Sequence, residues 1–423
     1  MIPSALGERL DAAVEAHRQG ALELLQRLVR LPSLEGHEKP CQDMLALVMR
    51  DLGLEVDYWT PDDAELQAHP AYVPTGWSYA ERPNVVGRLR GSGGGRSLIL
   101  NGHVDVVPIG PEADWQYGPW SGAYVDGRVY GRGAADMKGG VVANVLTVMA
   151  LRSAGVRLHG DLMVQHVVDE EAGGNGTLAA ILRGYRGDAC IFTEPTGLKR
   201  IAVSNRGAQF FRIIVPGQEG GIEYKHDLVS PISKAIEVFQ AVEAYSIMRE
   251  SVVSHPLYTT VYNTQVPTGI CKFHAGEWPS TIPSQAVLEG SIECLPGENI
   301  QDIKLAFKQY LETWSAKDGW FKDHPLRLEW FGLWFDSAEI PTDHPMVTTL
   351  AGITESLTGE AVRIGGAGGC DLRLPVKYAD TPAVLFGPKG GLIHSTDEYV
   401  EFEQVILCAK ILARMAVTWC GAD

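Results

Sequence analysis

Hydrophobic residues in the first half of the chain alternate between helical and strand-like spacing. Residues 8–31 carry leucines at helical intervals in "LELLQRLVRL", and residues 138–154 form an apolar helix that should end at Gly155. The segments "NVVGRLRG", "SLILNGHVDVVP", "DLMVQHVVD" and "ACIFTEP" have the short apolar runs of buried strands. This alternation predicts an α/β fold with a mostly parallel central sheet flanked by helices.

The pattern changes after residue 206. "AQFFRIIVPG" and "QAVLEGSIECLPG" are strand-like, whereas "SPISKAIEVFQAVEAY" and "NIQDIKLAFKQYLETWSA" have helical spacing. The buried strand "TPAVLFGP" later returns to the first pattern. We therefore predict one domain made of residues 1–206 and 320–423, interrupted by a smaller α+β domain of residues 207–319.

Composition and charge narrow the possible partners. The net charge is −16, and no run of Lys or Arg exceeds two residues, which argues against nucleic acid. No apolar run approaches the roughly 20 residues of a membrane span, and the first residues lack the apolar core of a secretory signal. The seven cysteines are scattered without a CxxC pair. We therefore expect reduced thiols and a cytoplasmic protein with no membrane partner.

The strand "NGHVDVVP" carries the first candidate metal ligand. Side chains two apart on a strand point to the same face, so His103 and Asp105 lie together. A metal-bound imidazole usually donates its second ring N–H to a carboxylate or carbonyl, which fixes its orientation. His103 fits a ligand and Asp105 its orienting partner. Alone, the pair is more often a core histidine beside a capping aspartate.

The segment "VQHVVDEEAGGNG" ends a buried strand in three carboxylates, of which Glu170 and Glu171 are adjacent. Neighbouring ionised carboxylates repel one another, and burial increases the cost. A divalent cation reverses this cost. One glutamate could then ligate the metal while the other takes a proton from a water that the metal acidifies. A solvated acidic loop is the alternative.

Three further segments place metal-type side chains at strand ends or glycine-rich turns. Each has an ordinary explanation by itself, such as a helix N-cap for the aspartate. They are Asp136 in "YGRGAADMKGG", Glu194 in "IFTEPTG" and His394 in "GPKGGLIHSTDEYV". Taken with the first two segments, they could hold two divalent ions that share one carboxylate. Mixed nitrogen and oxygen ligands suit Zn²⁺, Mn²⁺ or Co²⁺.

These five segments, in this order, resemble the co-catalytic metallohydrolase family of acetylornithine deacetylase, succinyl-diaminopimelate desuccinylase, aminoacylase and bacterial glutamate carboxypeptidase. The resemblance covers nearly the whole chain. It implies a catalytic domain interrupted by a smaller lid domain that often forms a homodimer. It also implies that the peptide after Asp136 is cis. It assigns two sets of metal ligands that share Asp136: His103, Asp136 and Glu194 for one ion, and Asp136, Glu171 and His394 for the other.

The resemblance further implies that Glu170 is the general base and that Asp105 orients His103. Many members carry a lid-domain histidine that stabilises the oxyanion. Here its expected position falls near Gly220 or Gly221, so His226, with Tyr224 beside it, is either its replacement or a surface residue.

A second departure concerns the anchor of a substrate carboxylate. Many members have an arginine where this chain has Glu293. Arg206 or Arg373 could replace it, because a guanidinium offers a bidentate fork to carboxylates. Either residue could instead be a structural ion-pair partner. We keep Arg206, Arg373 and Tyr224 as candidates for substrate contact.

The sequence thus predicts a two-metal hydrolase that cleaves a C–N bond in a small carboxylate-bearing substrate by metal-activated water. An N-acyl amino acid or similar amide, or a formyl group on an amine, is the expected substrate. Two alternatives remain. One is hydrolytic deamination of an activated aromatic amine such as 5-nitroanthranilate, with "WFGLWFD" supplying aromatic walls. The other is a metal-dependent binding protein without activity.

Overall fold

The computed structural model describes residues 2–259 and 261–423. Its helices are α1 (Ser4–Ala16), α2 (Arg18–Val29), α3 (Lys39–Asp51), α4 (Asp63–Gln67), α5 (Gly139–Ser153), α6 (Asn175–Leu182), α7 (Pro231–Val252), α8 (Ile300–Ser315), α9 (Gly319–Asp323), α10 (Pro345–Thr358), α11 (Arg373–Tyr378) and α12 (Phe402–Cys420). Its strands are β1 (Glu55–Trp59), β2 (Asn84–Leu89), β3 (Leu98–His103), β4 (Ala123–Val125), β5 (Arg128–Tyr130), β6 (Leu162–Val167), β7 (Cys190–Phe192), β8 (Arg200–Asn205), β9 (Gly207–Pro216), β10 (Gly220–Gly221), β11 (Thr268–Ala275), β12 (Thr281–Ile282), β13 (Gln285–Cys294), β14 (Arg327–Phe335), β15 (Ala338–Glu339), β16 (Arg363–Ala367), β17 (Ala383–Leu385), β18 (Gly390–Gly391) and β19 (Tyr399–Glu401).

The largest sheet has the order β1-β2-β6-β3-β7-β17-β8-β15, with β16 also paired to β8. Its central strands β6, β3, β7 and β17 are parallel, as is the β16–β8 pair, while the other pairs are antiparallel. The sheet is therefore mixed. Four of the predicted strands form its parallel centre, whereas "NVVGRLRG" is β2, which is antiparallel to both of its neighbours. Parallel strands of this kind need both faces covered by other elements.

Both faces of the central sheet are buried. On β3, Leu98 and Leu100 pack into one hydrophobic cluster with helices α1, α2, α3, α5 and α12, whereas Ile99 belongs to a cluster on the opposite face. The α/β class predicted from the sequence is confirmed. The predicted helix over 8–31 is two helices, because the chain turns at His17, whose Nε2 lies 2.6 Å from Ser153 Oγ.

Helix α5 is buried along most of its length. The helical stretch Ala134–Ser153 is long and apolar enough to cross a membrane, yet 89% of its most apolar 18-residue window is buried inside the protein, as in the core helix of a globular fold. Gly140 lets this helix approach the sheet, since a Cβ at that position would lie 2.1 Å from the carbonyl oxygen of Thr193. Helix α5 thereby begins directly above the end of β7.

A second sheet, β11-β13-β9-β14, forms the core of a smaller unit together with α7 and α8. Phe211, Tyr245 and Phe307 pack together in that core. Strand β14 belongs to this sheet through its antiparallel pairing with β9. We therefore propose to extend the inserted unit, predicted as 207–319, to Phe335.

Strand β6 contains a buried histidine that predicts an acid-sensitive fold. His166 is fully buried, and neither ring nitrogen has a hydrogen-bond partner among residues 2–259 and 261–423. Burial lowers the pKa of His166 to about 3, compared with an ordinary value of about 6.5. The stabilisation that depends on neutral His166 is therefore fully present above about pH 6.5. Below that pH the free energy of unfolding falls by about 1.4 kcal/mol per pH unit, until the pH reaches about 3.

We expect His166→Phe to remove this dependence. Chemical denaturation of wild type and variant, both with chelator so that metal loss is equal, should show a shallower decline of the unfolding free energy between pH 6.5 and 4 in the variant. Parallel curves for the two proteins would show that His166 is not the group responsible.

Candidate metal centre

The carboxyl ends of three adjacent parallel strands, β6, β3 and β7, meet at one edge of the central sheet. His103 is the last residue of β3, and Glu194 follows β7 by two positions. Glu170 and Glu171 follow β6, which ends at Val167. Sheet topology therefore brings together side chains that lie up to 91 positions apart in the sequence.

A small sheet, β18-β19-β5-β4, brings two more residues to this edge. Strand β5 leads into the helical turn Ala134–Lys138, which contains Asp136. Strands β18 and β19 flank the loop of His394. The peptide bond between Asp136 and Met137 is cis, as the family resemblance implied.

Asp136 lies between two histidines, with one carboxylate oxygen toward each. Its Oδ1 is 3.1 Å from His103 Nε2, and its Oδ2 is 3.4 Å from His394 Nε2. Glu194 Oε1 lies 3.8 Å from His103 Nε2, and Glu171 Oε1 lies 3.2 Å from His394 Nε2. The five side chains thus form two groups that share one aspartate.

The spacing of these atoms fits bound cations. Ligand atoms at about 2.0–2.2 Å from one tetrahedral Zn²⁺ lie about 3.4 Å apart, and the four separations run from 3.1 to 3.8 Å. His103, Asp136 and Glu171 each offer one ligand atom within 4.8 Å of the others. The donor set contains only imidazoles and carboxylates, which suits a borderline or hard divalent ion.

The charges of the cluster also favour a cation. Burial, followed by the charge of Asp136, raises the pKa of Glu194 well above its ordinary value. Burial chiefly raises the pKa of Glu171 as well. Hydrogen bonds to Asp136 and Glu171 raise the pKa of His394 to about 10, so a proton there partly compensates the crowded carboxylates. A divalent ion would compensate them more fully.

Asp105 fixes the orientation of His103. The Nδ1 of His103 lies 2.9 Å from the backbone carbonyl oxygen of Asp105 and 3.6 Å from its carboxylate. The carboxylate of Asp105 also accepts the backbone N–H of Glu171 at 3.0 Å. Asp105 therefore links the His103 strand end to the Glu171 turn, and its carbonyl is the nearer partner of the imidazole.

Glu170 lies beside this cluster, half-buried. Burial, followed by the charge of Asp371, raises the pKa of Glu170 well above its ordinary value. Two consecutive glutamates can reach one region because the strand has already ended. The residue before them, Asp169, has a left-handed φ of 68°.

Asp169 is a structural residue whose role was not predicted from the sequence. Its buried carboxylate accepts the Tyr79 hydroxyl at 2.6 Å and the Trp77 indole N–H at 3.3 Å, and it pairs with Arg82 at 3.0 Å. Arg82 also forks onto the buried carboxylate of Glu38. These contacts hold the turn that carries Glu170. The three consecutive acidic residues in the sequence indicated the cluster, but they did not indicate that Asp169 has a structural role.

The two candidate substrate arginines are both engaged with protein groups. Arg206 Nε lies 2.5 Å from Glu293 Oε2, so the glutamate that replaces the expected arginine is its ion-pair partner. Arg373 is buried and donates to the carbonyl oxygens of Cys370 and Gly173, each at 2.8 Å. These contacts agree with the alternative structural role. Substrate contact by either arginine stays a prediction.

His226 and Tyr224 belong to the smaller unit. Both are on an exposed segment that follows β10, and 55% of Tyr224 is exposed. Neither makes a hydrogen bond or ion pair with the metal-type side chains within the described part of the chain. A role for them in the reaction therefore stays a prediction.

The fold and the paired ligand groups define an α/β metallohydrolase. The model of peptidase family M20/M25/M40 matches residues 99–418. The chain therefore belongs to peptidase family M20/M25/M40, which confirms the resemblance drawn from its motifs. It is a metal-dependent hydrolase of C–N bonds that acts on amide bonds of N-acyl or peptide substrates.

Individual relatives span nearly the whole chain. A succinyl-diaminopimelate desuccinylase of Methylobacterium radiotolerans is 32% identical over 416 residues, covering 93% of this chain and 95% of the relative. An N-formyl-4-amino-5-aminomethyl-2-methylpyrimidine deformylase of Halalkalibacterium halodurans is 27% identical over 439 residues, covering 98% and 97%. Human carnosine dipeptidase 1 has the same fold, with a TM-score of 0.79 at 17% identity over 99% of this chain and 100% of that one.

Proposed function

We propose that this protein uses two divalent metal ions to hydrolyse the amide C–N bond of a small N-acyl substrate. His103, Asp136 and Glu194 would hold one ion, and Asp136, Glu171 and His394 the other. The observation that carries this proposal is the position of Asp136, with one oxygen 3.1 Å from His103 and the other 3.4 Å from His394. Zn²⁺, Mn²⁺ and Co²⁺ all suit these ligands.

Two residues of the chain would then transfer the proton and orient a metal ligand. When bound, two such ions supply Lewis acidity that polarises the acyl oxygen and acidifies water. Glu170 would take a proton from the attacking water and pass it to the leaving nitrogen. Burial raises the pKa of Glu170, and a raised pKa makes its carboxylate a better proton acceptor. Asp105 would keep His103 oriented through Nδ1.

The substrate proposed is a small carboxylate-bearing amide, with an N-acyl amino acid as the default. The deformylase and desuccinylase names of the relatives support acyl groups as small as formyl and as large as succinyl. The aromatic segment "WFGLWFD" lies in β14, and Trp330 packs against Phe211 in the core of the smaller unit. This placement supports a core role for Trp330 rather than an aromatic substrate wall.

We expect metal-loaded protein to release free amine from at least one member of a panel of N-formyl, N-acetyl and N-succinyl amines and amino acids. Ammonia release from aminobenzoates, measured in parallel, tests the deamination alternative. Protein that carries both ions and turns over no amide in the panel would contradict the proposed function. Amide turnover without ammonia release would remove the deamination alternative.

We also propose a homodimer formed through the smaller unit. Helix α7 exposes Ile232, Ile236 and Ile247, with exposed fractions of 40%, 49% and 70%, and it packs beside the edge strand β11. An apolar helix face next to an unpaired strand edge is typical of a protein interface.

Size-exclusion chromatography with light scattering tests this interface. The Ile236→Glu/Ile247→Glu variant should run as a monomer, whereas Leu305→Glu, at an exposed apolar position on α8, should leave the oligomeric state unchanged. A wild-type monomer, or a variant that still dimerises, would exclude this surface.

The compartment proposed is the cytoplasm. All seven cysteines lie among the described residues and are free, and six of them are buried. Free, mostly buried thiols are typical of a reducing compartment.

A further inference from the structure

A buried ion pair lies directly behind the proposed metal centre. Arg132 Nη1 is 2.6 Å from Glu398 Oε2, and the two residues are 2% and 0% exposed. Removing two charges from water is costly, and a buried pair rarely stabilises a fold better than apolar side chains of the same volume. Stability alone therefore gives a weak reason for this pair.

The second oxygen of Glu398 holds the turn that carries the shared aspartate. Oε1 accepts the backbone N–H groups of Ala135 and Asp136, at 3.0 and 3.1 Å. A carboxylate can accept both bonds at once, since each oxygen has two lone pairs. The position of the Asp136 backbone thus depends on Glu398.

The guanidinium of Arg132 hydrogen-bonds to two further loops. It donates to the carbonyl oxygen of Ser395, at 3.2 Å, and to that of Pro108, also at 3.2 Å. Ser395 follows His394, whose backbone has a left-handed φ of 60° and whose side chain is 49% exposed. Arg132 therefore restrains the backbone directly after His394.

We propose that Arg132 and Glu398 are positioning residues that build the second metal position, the one formed by Asp136, Glu171 and His394. The first position depends on them less, because His103 and Glu194 lie at the ends of sheet strands β3 and β7. Disruption of the pair should consequently release the second ion before the first. This inference rests on the two-metal centre of the proposed function.

Arg132→Met is the direct test, read out as metal content and affinity rather than activity. Elemental analysis after dialysis should give two ions per chain in wild type and about one in the variant. Titration calorimetry with Mn²⁺ or Zn²⁺ should show that the affinity of the second metal position falls about 10- to 100-fold. This is the usual effect of losing a residue that orients metal ligands. Retention of both ions at unchanged affinity would overturn the proposal.

A matched control separates metal positioning from general stability. Arg249 is also buried and pairs with Glu298 at 2.9 Å, in the smaller unit. Arg249→Met should lower the melting temperature but keep both ions, and loss of an ion there would overturn the proposal. If Arg132→Met does not fold, Glu398→Gln replaces it as the test, because it removes the charge that pairs with Arg132 but keeps an acceptor for the two N–H groups. Release of the second ion supports the proposal, and retention of both ions at unchanged affinity overturns it.

The failure of this inference is distinguishable from the failure of the proposed function. Wild-type protein that binds two ions but hydrolyses no amide refutes the proposed function and leaves the metal measurements decisive for Arg132. Wild-type protein that binds fewer than two ions overturns both.

Discussion

Glu170→Gln should lower kcat for amide hydrolysis by about 10²- to 10⁴-fold, the usual contribution of a positioned general acid–base group. The variant keeps the shape of the side chain but cannot accept the proton of the attacking water. Because Glu170 is not among the proposed metal ligands, metal content should remain at the wild-type value. Steady-state kinetics and elemental analysis on the same sample provide the measurement.

Glu65→Gln is the control for this experiment, since Glu65 is an exposed glutamate on α4. It should have wild-type kinetics. Full activity of Glu170→Gln toward every substrate found would show that another residue is the base. Loss of metal from Glu170→Gln would show that Glu170 is a ligand.

Asp136→Ala should abolish the stabilisation that metal ions give to the fold. Each bound ion raises the free energy of unfolding by about 2.7 kcal/mol when its free concentration is 100 times its Kd. Wild-type protein should show two such contributions. The variant should show neither, because Asp136 faces both His103 and His394. Thermal or chemical denaturation with and without metal gives the comparison.

His394→Ala is the matched variant, because it removes a ligand from one group only. It should keep roughly half of the metal-dependent stabilisation and one tightly bound ion. If Asp136→Ala kept half as well, Asp136 would belong to a single metal position and would not bridge the two. Equal loss in both variants would mean that the two ions bind only together.

The five metal-type residues could be predicted because each lies at a strand end or a glycine-rich turn, where sequence patterns are informative. The edge of a parallel sheet collects such ends irrespective of their distance along the chain. His103 ends one of three adjacent strands of that kind, and Glu171 and Glu194 follow the other two. Motif order then implied their partners, Asp136 and His394.

Residues that hold the ligands were harder to predict. Arg132 and Glu398 stand inside the motifs "YGRGAADMKGG" and "HSTDEYV", but their 266-position separation hides the pairing. Asp169 is one of three consecutive acidic residues, and only the contacts with Tyr79 and Arg82 reveal its structural role. A charge within a motif indicates importance, whereas its partner is decided by tertiary packing.

The boundary of the inserted unit shows a similar limit. Strand β14 is half-buried along most of its length, and its apolar residues do not say which sheet it joins. Its pairing with β9 places it in the smaller unit. Likewise, the leucine spacing over residues 8–31 is continuous, yet α1 and α2 are separate helices.

The central claim is that two cations share the carboxylate of Asp136. Anomalous diffraction from crystals grown with Zn²⁺, Mn²⁺ or Co²⁺ tests it most directly. We expect two peaks per chain on either side of Asp136, one also contacting His103 and Glu194 and the other also contacting Glu171 and His394. A single peak, or peaks that leave Asp136 uncoordinated, would contradict the account.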